Sequence, residues 1–146
     1  MKFILKCLLA TAIFIIALSA PSSAQETLYK RIGGFDAIAA VTYDFITRLA
    51  TDKDLSRFFV GLSDDSKGKV RNHIVDQLCM VTGGPCNYTG RDMKTTHKGL
   101  AITEKDWNTM ATLFVETLNK FKVPKKEQDE LLAIVSTTKK DIVEKQ

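Results

Sequence analysis

Histidine is the scarcest reactive side chain in this 146-residue chain: there are two, His73 and His97, beside three cysteines, three prolines and a single tryptophan. Chemistry that needs an imidazole therefore runs through one or both of them. They are not four residues apart on one helix, which excludes the common zinc-protease pair. A four-ligand zinc site built from His73, His97, Cys79 and Cys86 would have spacings that match no common ligand pattern. No nucleophile motif is present, and no Cys-x-x-Cys-His run. Charge of one sign is also in short supply. The formal net charge is +4, or +2 once Lys2 and Lys6 are set aside, too little for a nucleic-acid partner, which calls for clustered basic residues on one face.

Long apolar runs are confined to the N-terminus. Lys2 and Lys6 precede the apolar stretch Leu8 to Leu18, and Ser22-Ser23-Ala24 supplies small residues for cleavage. Residues 1–24 thus read as a secretory signal, with an uncleaved anchor as the rival, and the run is short for a bilayer span. Cys7 lies ahead of the apolar stretch, out of place for a lipid-anchor cysteine. The expected product is a single domain over residues 25–146, periplasmic or secreted, without stable membrane association once the signal is removed. Export implies an oxidising compartment, where Cys79 and Cys86 either pair or remain two free thiols.

Beyond residue 25 the pattern is helical, with no alternating strand. Phe35 to Ala50 places Ile38, Val41, Phe45 and Leu49 on one stripe, after a helical turn over Thr27 to Ile32 and a Gly33-Gly34 corner. Ser66 to Thr82 carries Val70, His73, Ile74, Gln77, Leu78 and Val81 on one face, so His73 is expected to point inward. Gly83-Gly84-Pro85 stops that helix. A short helical piece holds Met93 and His97. Thr103 is the expected N-cap of a helix with Trp107, Met110, Phe114, Leu118 and Phe121 inward. Pro124 opens a last helix with the stripe Leu131, Ile134, Val135, Thr138 and Ile142, and Lys139 to Gln146 reads as a solvated end. The fold class is all-α.

A lone histidine on an apolar face is ordinarily a satisfied core residue. Two, each with aromatic and aliphatic neighbours, fit a flat apolar cofactor held between helices, such as a haem ligated by an imidazole and walled by Phe45, Ile46, Phe58, Phe59, Val70, Ile74 and Phe114.

Several motifs then fall into one order: Leu28-Tyr29-x-x-Ile32-Gly33-Gly34, Asp44-Phe45, Leu55-x-x-Phe58-Phe59, Gly83-Gly84-Pro85, Tyr88-Thr89-Gly90-Arg91-Asp92-Met93, and His97 four residues after Met93. In this order and spacing the chain resembles the group I truncated haemoglobins across Thr27 to Val143. The resemblance implies a truncated globin, a two-over-two helical sandwich around a b-type haem. It implies His97 as the proximal iron ligand and Phe59 as the phenylalanine on the haem at the corner, with Met93 and the other wall residues around it. It further implies a diatomic gas ligand, oxygen or nitric oxide, and an electron donor of unknown identity.

The chain departs from the family where a tyrosine commonly follows the Asp-Phe pair; here Ile46 stands. Positions that often hold glutamine are Val70 and Ile74, so the polar clamp on bound oxygen is largely absent. Tyr43 and Gln77 are weak substitutes. In some relatives a histidine matching His73 binds the iron, and His73 is expected to coordinate it, or else to donate to a bound diatomic or face a propionate. Lys69, Arg71, Lys94 and Lys98 lie near enough in sequence to meet propionates, or are simply solvated. The leading expectation is reversible gas binding at a His97-ligated iron with His73 occupying or gating the sixth site. The alternatives are electron transfer or nitric-oxide/nitrite redox chemistry at a bis-histidine haem, and a haem-free helical interaction module. Dioxygenase-like activity stays open.

Overall fold

The computed structural model describes residues 26–145, and the expected signal over residues 1–24 lies outside them. Within the described residues, regular structure is helical apart from one isolated bridge between Thr103 and Lys145. Helix α1 is the turn Leu28–Arg31, α2 spans Gly34–Thr51, a 3-10 turn covers Ser56–Phe59, and α3 runs Asp64–Val81. Then come the short α4, Met93–His97, the long α5, Glu104–Lys120, α6, Lys125–Ser136, and α7, Lys139–Ile142. Helix α2 packs against both α3 and α5, and α6 packs on α5 and α1. The arrangement is two helix pairs, α2 with α3 and α5 with α6, joined through α2 and α5. None of these helices is long and apolar enough to cross a membrane.

The boundaries follow from caps. Ser63 accepts a hydrogen bond from the Ser66 amide and caps α3, so the helix begins at Asp64, ahead of the Ser66 start that the sequence pattern marks. Thr103 and Asp106 form a reciprocal capping box at α5, satisfying two otherwise orphaned amides. Pro124 sits one position ahead of α6 rather than inside its first turn. The corner between α1 and α2 needs left-handed backbone at two successive positions, with φ of 98° at Gly33 and 72° at Gly34.

Tyr29 explains why the N-terminal motif reaches past its own turn. Its amide donates to the Thr82 carbonyl (2.8 Å), and its hydroxyl accepts from the Phe35 amide (3.0 Å). The turn is thereby sewn to the end of α3. Arg31 pairs with Glu127 and Glu130 and carries the same turn onto α6.

Two expectations need correction. Phe121 does not face the core; α5 ends at Lys120, and Phe121 is exposed at the C-cap. The single last helix is instead broken after Ser136, which leaves Thr138 in the break and Ile142 at the end of α7, both half-buried.

The main core gathers Leu28, Val41, Phe45, Ile46, Leu49, Leu55, Phe114, Leu118 and Leu131. A smaller cluster under α1 contains Ile38, Val75 and Cys79. Cys79 and Cys86 are joined as a disulfide, with Cα atoms 5.7 Å apart, inside the range that a bridge tolerates. It fastens the end of α3 to the loop that leads to α4. From the seven-residue separation, chain-entropy reasoning assigns the bridge about 2–3 kcal/mol. Replacing both cysteines by alanine is expected to lower the urea midpoint by a matching amount, read from equilibrium unfolding. An unchanged midpoint would show that the bridge is energetically idle.

Candidate functional site

Between the helix pairs lies a cavity of about 290 Å³. Its walls are overwhelmingly apolar: Phe45 and Leu49 from α2, Leu55, Phe58 and Phe59 from the corner, Ile74, Leu78 and Val81 from α3, and Trp107, Met110 and Phe114 from α5. Ile134, Val135 and Ile142 close it from α6 and α7. Phe45 and Phe114 meet at a 5.0 Å centroid distance with their planes tilted by 54°, a favourable arrangement for two quadrupoles.

Met93 and His97 enter from α4. One helical turn has little stability of its own, so α4 depends on its surroundings. The Asp92 carboxylate accepts from the Thr95 amide (2.8 Å). That bond and its neighbours hold the Asp92 carboxyl below its usual range. Beyond His97, the Glu144 carboxylate accepts from the amides of Gly99 (2.7 Å) and Ala101 (2.6 Å). The C-terminal segment, expected to be a solvated helix end, is in fact a clasp on the segment leaving α4.

Inside α4, His97 Nδ1 lies 2.8 Å from the Met93 carbonyl oxygen. A carbonyl only accepts, so Nδ1 carries the proton and Nε2 of the neutral ring keeps its lone pair. The hydrogen bond that orients a metal-binding imidazole and raises its basicity is thus already made.

The other polar groups on the cavity wall are mostly committed. Asp106 accepts from the Thr103 amide (2.9 Å), the Thr103 hydroxyl (2.8 Å) and Arg57 (2.7 Å). Burial pushes its carboxyl up, but the Thr103 bonds and the Arg57 guanidinium outweigh this and leave it below the usual range. The Thr137 and Thr138 hydroxyls donate to the carbonyls of Ile134 and Val135. Gln77 lines the cavity from α3, and its amide has no hydrogen-bond partner among the described residues. Among the described residues, the wall's polar groups without a hydrogen-bond partner are therefore His97 Nε2, the Gln77 side-chain amide and the Trp107 indole N–H.

Of the residues picked from sequence, Phe45, Phe58, Phe59, Ile74, Met93, His97 and Phe114 line the cavity. Ile46 and Val70 pack in the main core beside it and do not. His73 is exposed and stands edge-on to Tyr88, with ring centroids 6.0 Å apart; the expectation that it points inward is corrected. The reason is angular. Residues advance about 100° each around a helix, so Ile74, Gln77, Leu78 and Val81 span an arc of about 100°, and His73 falls about 40° beyond the Gln77 edge. Tyr43 is likewise exposed, at 62 %, and is no donor to this space. Lys69 pairs with Asp65 at 2.8 Å on the surface. Sequence reasoning missed Leu49, Leu55 and Ile142 as wall residues, although all three sat on stripes or in motifs already noted.

An apolar slot with one imidazole lone pair at its wall suits a flat, mostly apolar cofactor carrying a metal. The comparisons agree on the class: the chain belongs to the bacterial-like globin family, matched over residues 27–144. Its particular likeness is to the group 1 truncated haemoglobins. That of Mycolicibacterium paratuberculosis is 31% identical over 110 residues, covering 75% of this chain and 79% of that one. That of Nostoc sp. is 38% identical over 87 residues, covering 60% and 71%. Among solved structures, the truncated haemoglobin of Tetrahymena pyriformis in its Fe(III) form superposes with a TM-score of 0.74 at 25% identity, covering 81% of this chain and 98% of that one. The 2/2 haemoglobin of Synechococcus sp., solved in the cyanomet state with covalently attached haem, gives 0.73 at 25% identity with the same coverage.

The Glu144 clasp is pH-sensitive. Hydrogen bonds from Gly99 and Ala101 lower its carboxyl pKa in the folded state. Its contribution is present above the unfolded value and is lost as pH falls through the lower, folded one. Hydrogen-exchange protection of the Gly99 and Ala101 amides is expected to fall on acidification below the usual carboxylate range, and to be low already at neutral pH in Glu144→Ala. Equal protection in variant and parent would contradict the clasp.

Proposed function

We propose that this chain is a haem protein: a b-type haem occupies the cavity, His97 Nε2 ligates its iron, and oxygen or nitric oxide binds reversibly on the opposite face. One observation carries the reading, the His97 imidazole at the wall of an apolar cavity with Nδ1–H already donated to Met93 and Nε2 left as the donor atom. Family membership supports it, as do the iron-bearing forms named for the Tetrahymena and Synechococcus proteins. When bound, the haem supplies an iron centre with one position for a small ligand. The chain's own residues orient the imidazole, exclude water with phenylalanine and leucine walls, and offer little polar stabilisation to the guest. Ile46 stands where many relatives have tyrosine, and Gln77 is the only uncommitted polar side chain that α3 presents to the cavity.

His73 serves in this reading as a gate to the sixth position. A resting bis-histidine haem, which an electron-transfer role would use, requires His73 to leave its exposed place beside Tyr88. An export route for residues 1–24 and an external electron donor belong to the same proposal.

Purified protein loaded with hemin is expected to give an imidazole-ligated spectrum that His97→Ala abolishes, with weaker hemin retention, and that added imidazole restores. An unchanged spectrum in the His73→Leu, His97→Ala double variant, which has no histidine left to ligate the iron, would sink the proposal. Absence of a Soret band after hemin addition would favour a haem-free interaction module.

A further inference from the structure

Tyr88 lies on the loop between α3 and α4, outside the cavity wall, yet three separate features fix it. Two residues before it, Cys86 is bridged to Cys79 on α3. Its hydroxyl donates to the Arg91 carbonyl at 2.6 Å, closing the loop on itself. Gly90 lies against the ring so closely that a Cβ there would overlap it. So constrained, the ring meets one aromatic neighbour, His73, at 6.0 Å between centroids and 77° between planes, the edge-on geometry that aromatic pairs favour. His73 lies a helical turn and a half before Cys79 on the same helix, so the disulfide anchors the loop to the helix whose histidine it faces.

We infer that Tyr88 is a positioning residue for His73: it parks the imidazole outside the cavity and so keeps the sixth iron position open to external ligands. The inference rests on the proposed haem site. Polarity gives the parked state its logic. His73 beside Tyr88 stays in contact with solvent, whereas His73 inside would be an imidazole among apolar side chains, tolerable only when bound to the metal. The two places compete, and Tyr88 adds weight to the outer one. An aromatic edge contact shifts such an equilibrium by about two- to tenfold.

The test uses hemin-loaded, ferrous full-domain protein and carbon monoxide as the external ligand. Tyr88→Ala is expected to raise the ratio of His73-ligated, low-spin protein to open protein about two- to tenfold and to slow carbon monoxide binding in proportion to the fall in the open fraction. Gly90→Ala, which keeps the tyrosine but displaces its ring, should act in the same direction. Tyr88→Phe, which keeps the ring, should stay close to the parent. In a His73→Leu background, Tyr88→Ala should change neither spectrum nor rate, and the parent should show nuclear Overhauser contacts between the two rings. The inference is overturned if the parent is already fully His73-ligated, if Tyr88→Ala leaves the spectrum unchanged, or if its effect persists without His73. Failure of the haem reading itself is told apart by His97→Ala in the His73→Leu background, which would then leave the hemin spectrum unchanged.

Discussion

Everything at the site depends on one hydrogen bond within a single helical turn, from His97 Nδ1 to the Met93 carbonyl. It selects the tautomer, restrains the ring against the preceding turn, and leaves one nitrogen with a free lone pair. A one-turn helix cannot secure such a bond unaided. The Asp92 cap on one side and the Glu144 clasp on the other exist, in energetic terms, to keep that turn wound. The apolar walls then do the complementary task of presenting the free nitrogen to a space lined almost wholly by carbon.

The cavity wall is governed by economy of polar groups. Asp106 looks out of place in an apolar wall, but its charge is consumed by Thr103 and Arg57, and its role is to start α5. The threonines of the α6–α7 break are consumed by backbone carbonyls. Gln77 alone remains uncommitted on α3, with His73 just around the helix from it.

Much of this was legible in sequence where a residue's role is set by period or by a motif. The stripe on α2, the Thr103 cap, the Phe58-Phe59 corner and the Met93 to His97 spacing all translate directly into geometry. His73 was misplaced because a helical face is not a line: assigning it to the same face as Ile74 ignored that the cavity subtends only about 100° of α3, with its centre nearer Ile74 and Val81. Ile46 and Val70 are apolar and interior, as expected, but interior in a globin-sized domain includes a packed core beside the cavity. The Glu144 clasp lay beyond sequence reading altogether. A glutamate in a run of lysines gives no sign that two amides 45 and 43 residues earlier will need an acceptor.

That clasp ties the His97 turn to the far end of the sequence. Residues 144–145 bond to Gly99, Ala101, Ile102 and Glu104, more than forty positions away. The segment leaving α4 is therefore held by tertiary placement of the last helices and not by its sequence neighbours. A change that shifts α7 is felt at His97 although no residue near the imidazole has been altered.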